Sequence, residues 1–410
     1  MQKDKKIFIT GATGFVGSNL AHKLLKEGCK VKLLARRKRA ESAQERINGI
    51  FLELCDNKLA EFREIKKNME VIEGDVTKAD SLGIAEKDLK NFPKDVSAVF
   101  HSAAFMSFDN TKKEELFRHN VGGTKNVLDF ILKMNIPEAH FLSTAYVCGR
   151  ELEEEIAEET LKRPRIFNNP YEEAKFEAEK IISEYKEKYR IKTNIYRPSI
   201  IVGDTKAGRT QNLFGYYTVV RAMHVLREKV IKHLSKNDPR LKPLGVRLDK
   251  GKLHLPIRVA WLKERPLNLV PIDYVVEVIF EIFRTGSASG KTFYILNPVP
   301  PSVDEVLRYT CEALGISTFR LMALEEFIEK PKTFLERFLL KNVKEYLPYL
   351  DIPEPRFKDE NTPKVIKDRV KPPVVNSEFI RKLVTYCVQT NWRKKIYLNN
   401  EEAEIKDVSI

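Results

Sequence analysis

Three residues, Thr144, Tyr171 and Lys175, have the types and spacing to move a proton onto a carbonyl oxygen. A phenol, with a reference pKa of about 10, is a poor acid or base near neutrality. A neighbouring ammonium favours the phenolate and brings the group into range. Tyr171 and Lys175 stand four apart in Pro170-Tyr171-Glu172-Glu173-Ala174-Lys175, so on a helix they share one face. Thr144 closes Ala139-His140-Phe141-Leu142-Ser143-Thr144, which reads as a strand and its exit. Its hydroxyl can donate to the same substrate oxygen. Such a set polarises a carbonyl and protonates its oxygen as hydride arrives. An ordinary surface helix also carries Tyr-x-x-x-Lys pairs, so the set gains meaning only from elements that hold it beside a hydride source.

That source is written near the start of the chain. Lys6 to Ile9 reads as a buried strand, and Thr10-Gly11-Ala12-Thr13-Gly14-Phe15-Val16-Gly17 follows it. From Ser18 to Lys26, Leu20, Leu24 and Leu25 recur at helical spacing. In this strand, turn and helix, Gly11 permits the tight turn, Gly14 lets the backbone approach a pyrophosphate, and Gly17 lets the helix pack on its strand. The helix N-terminus offers unpaired N–H groups and partial positive charge to the phosphates. Thr13, Phe15 and Val16 belong to the same turn. Cys29 to Ala35 reads as a second strand that ends at Arg36-Arg37-Lys38-Arg39, and the first acid beyond it is Glu41. An acid here holds the 2′-hydroxyl of NAD, whereas an arginine accepts the 2′-phosphate of NADP. Arg36 and Arg37 therefore point to NADP(H).

Further strands are expected at Met69–Ile72, Val96–Phe100, Ala139–Thr144 and Thr193–Pro198. The first leads to Asp75 and Val76, where a short acid meets the adenine edge. The second leads to His101-Ser102-Ala103-Ala104, where Ser102 and Ala103 let the backbone lie against the cofactor. His101 itself reads as a packed histidine. A helix from about Glu114 to Met134 carries Asn120, Gly122 and Gly123 near its middle. Two glycines there cost about 1 kcal/mol each relative to alanine, a cost that close packing on a cofactor or sheet would explain. With Asn120 and Pro198, and with Tyr171 and Lys175 at the ribose, these residues make up the expected cofactor contacts.

Strand and helix alternate over the first half of the chain, which implies an α/β, Rossmann-type, doubly wound parallel sheet. At 410 residues a second lobe is expected. Residues 1–205 and about 267–285 are assigned to the dinucleotide-binding domain. About 206–266 and 286–410 form a smaller, mostly helical substrate-binding lobe. The remainder beyond the strand and helix at Leu267–Asp273 reads as helical with proline-rich connections, and Glu151 to Glu159 as a solvated acidic loop. The five cysteines are scattered without C-x-x-C, which argues against a zinc site or a disulfide framework and fits a reducing, cytoplasmic setting. The start of the chain leaves no room for a signal peptide. Leu267 to Phe283 contains Asp273, Glu277 and Glu281, so it is not a membrane span. The net charge of +14 suits polyanionic cofactors, substrates or an anionic membrane face, and no nucleic-acid module is recognisable. Between Arg221 and Arg265 thirteen Lys or Arg face four Asp or Glu. Abundant Lys, Glu and Ile hint at a warm habitat.

TGATGFVG (10–17), GDV (74–76), HSAA (101–104), STAYVCG (143–149), YEEAK (171–175) and YRPSIIVGD (196–204) together resemble the extended short-chain dehydrogenase/reductases. STAYVCG, RPSIIVGDTKAGRT (197–210) and LNLVPIDYVVEVI (267–279) are most similar to the branch of thioester reductase domains and fatty acyl-CoA reductases. The resemblance implies Thr144, Tyr171 and Lys175 as catalytic, Gly11, Gly14 and Gly17 as cofactor contacts, and no metal. It implies NADPH-dependent reduction of an acyl thioester, carried by coenzyme A or an acyl carrier protein, to aldehyde, with further reduction to alcohol left open. A nucleotide-sugar epimerase or dehydratase is the alternative. Ala145-Tyr146 stand where dehydratases of this superfamily place Asp-Glu, which counts against that chemistry. A non-enzymatic NADPH sensor or assembly factor is a second alternative, and relatives of that kind often lose the Tyr or Lys retained here. Phe334, Leu335, Phe338 and Leu339 have the helical spacing of an apolar face, which core packing uses more often than an acyl chain does.

Overall fold

The computed structural model describes residues 4–150, 155–159, 162–164, 166–261, 265–286, 290–349 and 352–393. Its first strands are short apolar runs, as expected of parallel strands buried on both faces. The chain begins β1 (Lys6–Thr10), α1 (Phe15–Lys26), β2 (Lys30–Ala35), α2 (Ala43–Leu54), α3 (Leu59–Lys66), β3 (Met69–Glu73), α4 (Glu86–Lys90) and β4 (Val96–His101). Next, α5 (Lys113–Leu116) passes through a π-helical stretch, Phe117–Gly122, into α6 (Gly123–Lys133). β5 (Glu138–Leu142), β6 (Ile156–Ala157), α7 (Pro170–Tyr189) and β7 (Lys192–Pro198) follow. The second compact unit then opens with β8 (Ile200–Val202), α8 (Tyr216–Leu234), β9 (Arg247–Asp249), β10 (Lys252–Ala260) and β11 (Leu269–Pro271). The chain returns to the first unit for α9 (Ile272–Thr285) and β12 (Thr292–Ile295). It then enters the second for α10 (Val303–Ala313), β13 (Ile316–Met322), α11 (Leu324–Glu329) and α12 (Phe334–Asn342). β14 (Phe357–Lys358) and α13 (Asn361–Ile366) belong to the first unit, and α14 (Ser377–Gln389) to the second.

The first unit comprises residues 1–199, 272–296 and 355–371. Its seven parallel strands run in the order β12-β7-β5-β4-β1-β2-β3. The order reverses between β1 and β4, where Thr10 is in register with His101, and this is the switch point at which such sheets bind ligands. Phe8, Val99, Phe130 and Phe141 are among the side chains of its buried core. The doubly wound expectation holds. The segments 286–296 and 355–371, expected in the other lobe, lie in this unit instead. β12 extends the sheet beside β7, and β14 pairs with β6. Glu151–Glu154 lie outside the described residues, and Glu158 is not solvated. Its buried carboxylate accepts the backbone N–H groups of Glu360 at 3.3 Å and Asn361 at 3.0 Å, because β6 brings it against the 355–371 segment.

The second unit, residues 200–271, 297–354 and 372–410, has a core from α8, α10, α12, α14 and β10. Leu335, Phe338 and Leu339 of α12 are buried in it, so the apolar face expected at 334–339 is spent on packing. No expectation from the sequence covers the three strands found here, β9, β10 and β13, which form one sheet. The basic stretch 221–265 contains most of α8 and all of β9 and β10. Two of its arginines find acids beyond it, Arg258 with Glu336 at 2.7 Å and buried Arg265 with Glu354 at 2.6 Å.

Candidate active site

The glycine turn has the expected local form. Gly11 has φ +77°, and a Cβ there would lie 2.4 Å from the Ala103 nitrogen. A Cβ on Gly17 would lie 2.3 Å from the Gly11 oxygen. Both glycines are therefore fixed by close approach of β1's exit to β4's exit and to α1. Gly14 is exposed and would meet only the Gly11 oxygen, at 3.2 Å. It is also the N-cap of α1 and makes no side-chain cap, which leaves the first N–H groups of the helix for an anion. Thr13, Phe15 and Val16 stand half-buried around that mouth. Ser102 Oγ is buried without a hydrogen-bond partner among the described residues and faces Gly17. An uncapped helix start, a bare glycine and an orphaned hydroxyl fit a dinucleotide pyrophosphate.

At the end of β2, Arg36 is exposed and reaches Asp75 Oδ2 at 3.5 Å, while Arg37 reaches Glu73 at 3.4 Å. Asp75 is held below its usual carboxylate value: burial works against ionisation, but hydrogen bonds from Thr77 N and Oγ1, both 2.9 Å, and the Arg36 charge outweigh it. Arg46, from α2, donates to the Arg36 carbonyl oxygen and joins this cluster. Burial and Arg36 lower its pKa. Sequence reading overlooked Arg46 because it lies ten residues beyond Arg36; its place as the fourth residue of a capped helix (Ser42 with Glu45) is the available signal. Val76 is buried, and a Cβ on Gly123 would meet its Cγ2 at 3.1 Å, which accounts for that glycine. Asn120, expected at the cofactor, has its amide on the backbone of Phe105, accepting from N at 2.8 Å and donating to O at 2.9 Å. It holds the segment after Ala103 in shape. Pro198 is buried at the end of β7 in register with Ile295.

The three catalytic candidates stand just beyond β5 and on the first two turns of α7. Asn169 caps α7 through Glu172 N at 3.0 Å, and Pro170 occupies the first turn, so Tyr171 opens the helix. One turn on, Lys175 donates to the Leu142 carbonyl at 2.8 Å. A further turn on, Glu179 accepts from the Ser143 hydroxyl. These two rungs lay one face of α7 along the exit of β5, with Thr144 as the next residue. Glu179 is clamped in turn by Arg197 of β7, Nη2 to Oε2 at 2.7 Å, and both are almost fully buried. Arg197 also donates to Tyr294 Oη at 3.2 Å. Thr144 is buried, and its Oγ1 accepts from Tyr146 N at 3.3 Å, which leaves the hydroxyl proton to be given elsewhere.

Electrostatics depart from expectation at the phenol. Tyr171 is half-buried, and burial together with the Glu172 charge raises its pKa rather than lowering it. Lys175 Nζ is 6.0 Å from the ring centroid and is drawn to Leu142, too far to reverse this. Lys175 is lowered to about 8 by burial, against the pull of Glu179. His101 is the packed histidine expected: Nδ1 is 2.7 Å from Thr10 Oγ1, Nε2 is 3.3 Å from Thr124 Oγ1, and burial pushes it down to about 3, so it is neutral. A pocket of about 320 Å³ beside the start of α7 is lined by polar groups including Asn110, Lys113, Arg163 and Glu173, and by none of the three candidates.

A seven-stranded parallel sheet with a glycine turn at its switch point, a Thr at the exit of β5 and a Tyr and a Lys on the start of α7 define a dinucleotide-binding α/β protein. A family model described as male sterility protein, an NAD-binding family, matches residues 9–279, and the chain belongs to that family. This agrees with the resemblance to extended short-chain dehydrogenase/reductases of the fatty acyl-CoA and thioester reductase branch, and a nicotinamide dinucleotide is the class of cofactor it carries. Fatty acyl-CoA reductase 1 of Gallus gallus is 33% identical over 163 residues, which cover 37% of this chain and 30% of that protein. Fatty acyl-CoA reductase wat of Drosophila melanogaster is 26% identical over 244 residues, 52% of this chain and 46% of that one. The chain thus spans less than half the length of these curated relatives. In fold, the terminal R domain of the myxalamid PKS-NRPS pathway superposes with a TM-score of 0.74 at 20% identity, over 95% of this chain and 92% of that one.

Proposed function

We propose that this chain is an NADPH-dependent reductase of acyl thioesters, releasing an aldehyde. The observation that supports the reading is the docking of α7 on the exit of β5: Lys175 is anchored on Leu142 one helical turn from a protonated Tyr171, and the donor-ready Thr144 lies two residues beyond Leu142. A reduction needs the tyrosine as an acid, and a phenol with a raised pKa stays protonated at neutral pH. Bound NADPH supplies the hydride. Thr144 Oγ1 donates a hydrogen bond to the thioester carbonyl oxygen, and the Tyr171 phenol gives its proton to that oxygen as charge gathers there. Lys175, with two N–H groups beyond the one on Leu142, holds the ribose and offsets the phenolate that forms. The tetrahedral adduct then loses its thiol, leaving aldehyde, and a second round on the aldehyde would give alcohol. Arg36 and Arg46 favour the 2′-phosphate and so NADPH. Coenzyme A and acyl carrier protein are both fitting carriers, since each presents its acyl group on phosphopantetheine.

The test supplies a long-chain acyl-CoA, or the same acyl group on a carrier protein, together with NADPH. Free thiol with aldehyde or alcohol is expected, in step with loss of NADPH. Conversion of a nucleotide sugar without net NADPH loss, and no thiol from either thioester, would replace this reading.

A further inference from the structure

One cluster of ligating side chains takes no part in the site above. His22 lies on α1, Cys55 caps the C-terminal end of α2, and Glu61 sits in the first turn of α3. A donor atom from each lies within 4.8 Å of the other two. Cys55 is buried, and His22 and Glu61 are half-buried, so the cluster is partly withdrawn from water. His22 Nε2 stands 3.7 Å from Cys55 Sγ, within reach of a hydrogen bond to sulfur and also close to the spacing of two ligands on one metal ion. Two ligands of a tetrahedral zinc ion, with bonds of about 2.3 Å to sulfur and 2.0 Å to nitrogen, stand about 3.5 Å apart. This edge of the coordination polyhedron is therefore within about 0.2 Å of its required length. Glu61 reaches Lys26 Nζ with one oxygen at 3.0 Å, so its second oxygen can turn to the cluster while the ion pair is kept.

We propose that His22, Cys55 and Glu61 bind one divalent ion of the zinc type, which ties α1 to the α2–α3 corner. Imidazole, thiolate and carboxylate are the donors zinc takes, and three of them leave the fourth position to water. The Sγ–metal bond forms as the thiol proton leaves to solvent. The ion is a structural staple on the helix whose other end carries the glycine turn, not a participant in reduction. The three ligands come from three separate elements, which is why the spacing of the cysteines in sequence argues against a zinc site.

The test uses the full chain, reduced, stripped with a chelator and titrated with Co²⁺ as an optical stand-in for zinc. One equivalent should give a thiolate-to-cobalt charge-transfer band with tetrahedral d–d bands, and Zn²⁺ should displace it. Cys55→Ser should abolish the charge-transfer band. Because losing even an outer-shell partner costs about 10- to 100-fold in metal affinity, His22→Gln and Glu61→Gln should each weaken binding at least about tenfold. Circular dichroism identifies which variants fold, and the parent titration stands whatever the variants do. Absence of a thiolate band in the parent, or its persistence in folded Cys55→Ser, overturns the proposal.

Discussion

At Tyr171 two effects oppose each other. A nearby ammonium lowers a phenol's pKa, whereas burial and the Glu172 charge raise it, and here the raising effects prevail. The phenol is thus a donor at rest, as a reduction requires. Tyr171→Phe should fold and bind cofactor, yet lose about 10²- to 10⁴-fold in turnover; steady-state rates on purified variant check this, and near-parent activity would remove Tyr171 from the mechanism. The alkaline limb belongs instead to Lys175. A cationic group lowered to about 8 carries its charge fully only below that pH and loses it above. Reductive kcat/KM should therefore fall as pH rises through about 8, and Lys175→Arg, which stays charged, should lack that limb. A parent profile flat up to about 10, the ordinary phenol range, would refute it. Residue types, spacing and the surrounding strand-helix order together singled out Thr144, Tyr171 and Lys175 as candidates. What spacing could not give was the direction of the phenol's shift, which depends on enclosure, or that Asn120 spends its amide on Phe105.

Among elements, α7 is the one that holds the site together, and its hold on the sheet is partly apolar, through Ile182, and partly ionic. Glu179 and Arg197 are almost fully buried and clamp α7 to β7, while Ser143 ties the same carboxylate to β5. Removing one partner of such a pair strands a buried charge, at a typical cost of about 3–5 kcal/mol. Glu179→Ala should lose stability of that order in denaturant unfolding, and a loss under about 1 kcal/mol would mean the pair is dispensable. The β2–α2 corner makes a second prediction. Arg36→Ala combined with Arg46→Ala should weaken NADPH binding while NADH binding changes little, and equal affinity of the parent for both would sink the 2′-phosphate assignment. Elements with strong patterns were legible: the apolar runs of β1 to β5 and the Asn-Pro start of α7. β10 was not: Leu253, Leu255 and Ile257 alternate with polar residues as in a strand buried on one face, but Pro256 in the middle of the run argues against a strand. β12 is four residues long, and only its pairing with β7 identifies it.

On the scale of the whole molecule, the chain enters the first unit three times, and the last return, 355–371, had no sequence signal to distinguish it from its helical surroundings. What fastens it is β14 on β6 and the Glu158 carboxylate on the N–H groups of Glu360 and Asn361. This fastening brings Asp359 beside Glu158. Burial, and then repulsion from Glu158, pushes Asp359 up from 3.8 to about 7, and Glu158 is raised as well. For an acid raised in this way the native state holds a proton that the unfolded chain has already given up. Its contribution to stability is complete below pH 3.8 and is lost as pH rises through about 7. Between about pH 5 and pH 8 this group should therefore destabilise the fold progressively, though modestly, because Asp359 is only half-buried and solvent screens it. Asp359→Asn keeps the shape and stays neutral, so it should be closer to equally stable at the two pH values than the parent is. Denaturant midpoints of both proteins at each pH measure the difference. If the parent gains stability from about pH 5 to pH 8 while the variant does not, the sign is wrong, and Asp359 is ionised and stabilised by a partner at neutral pH.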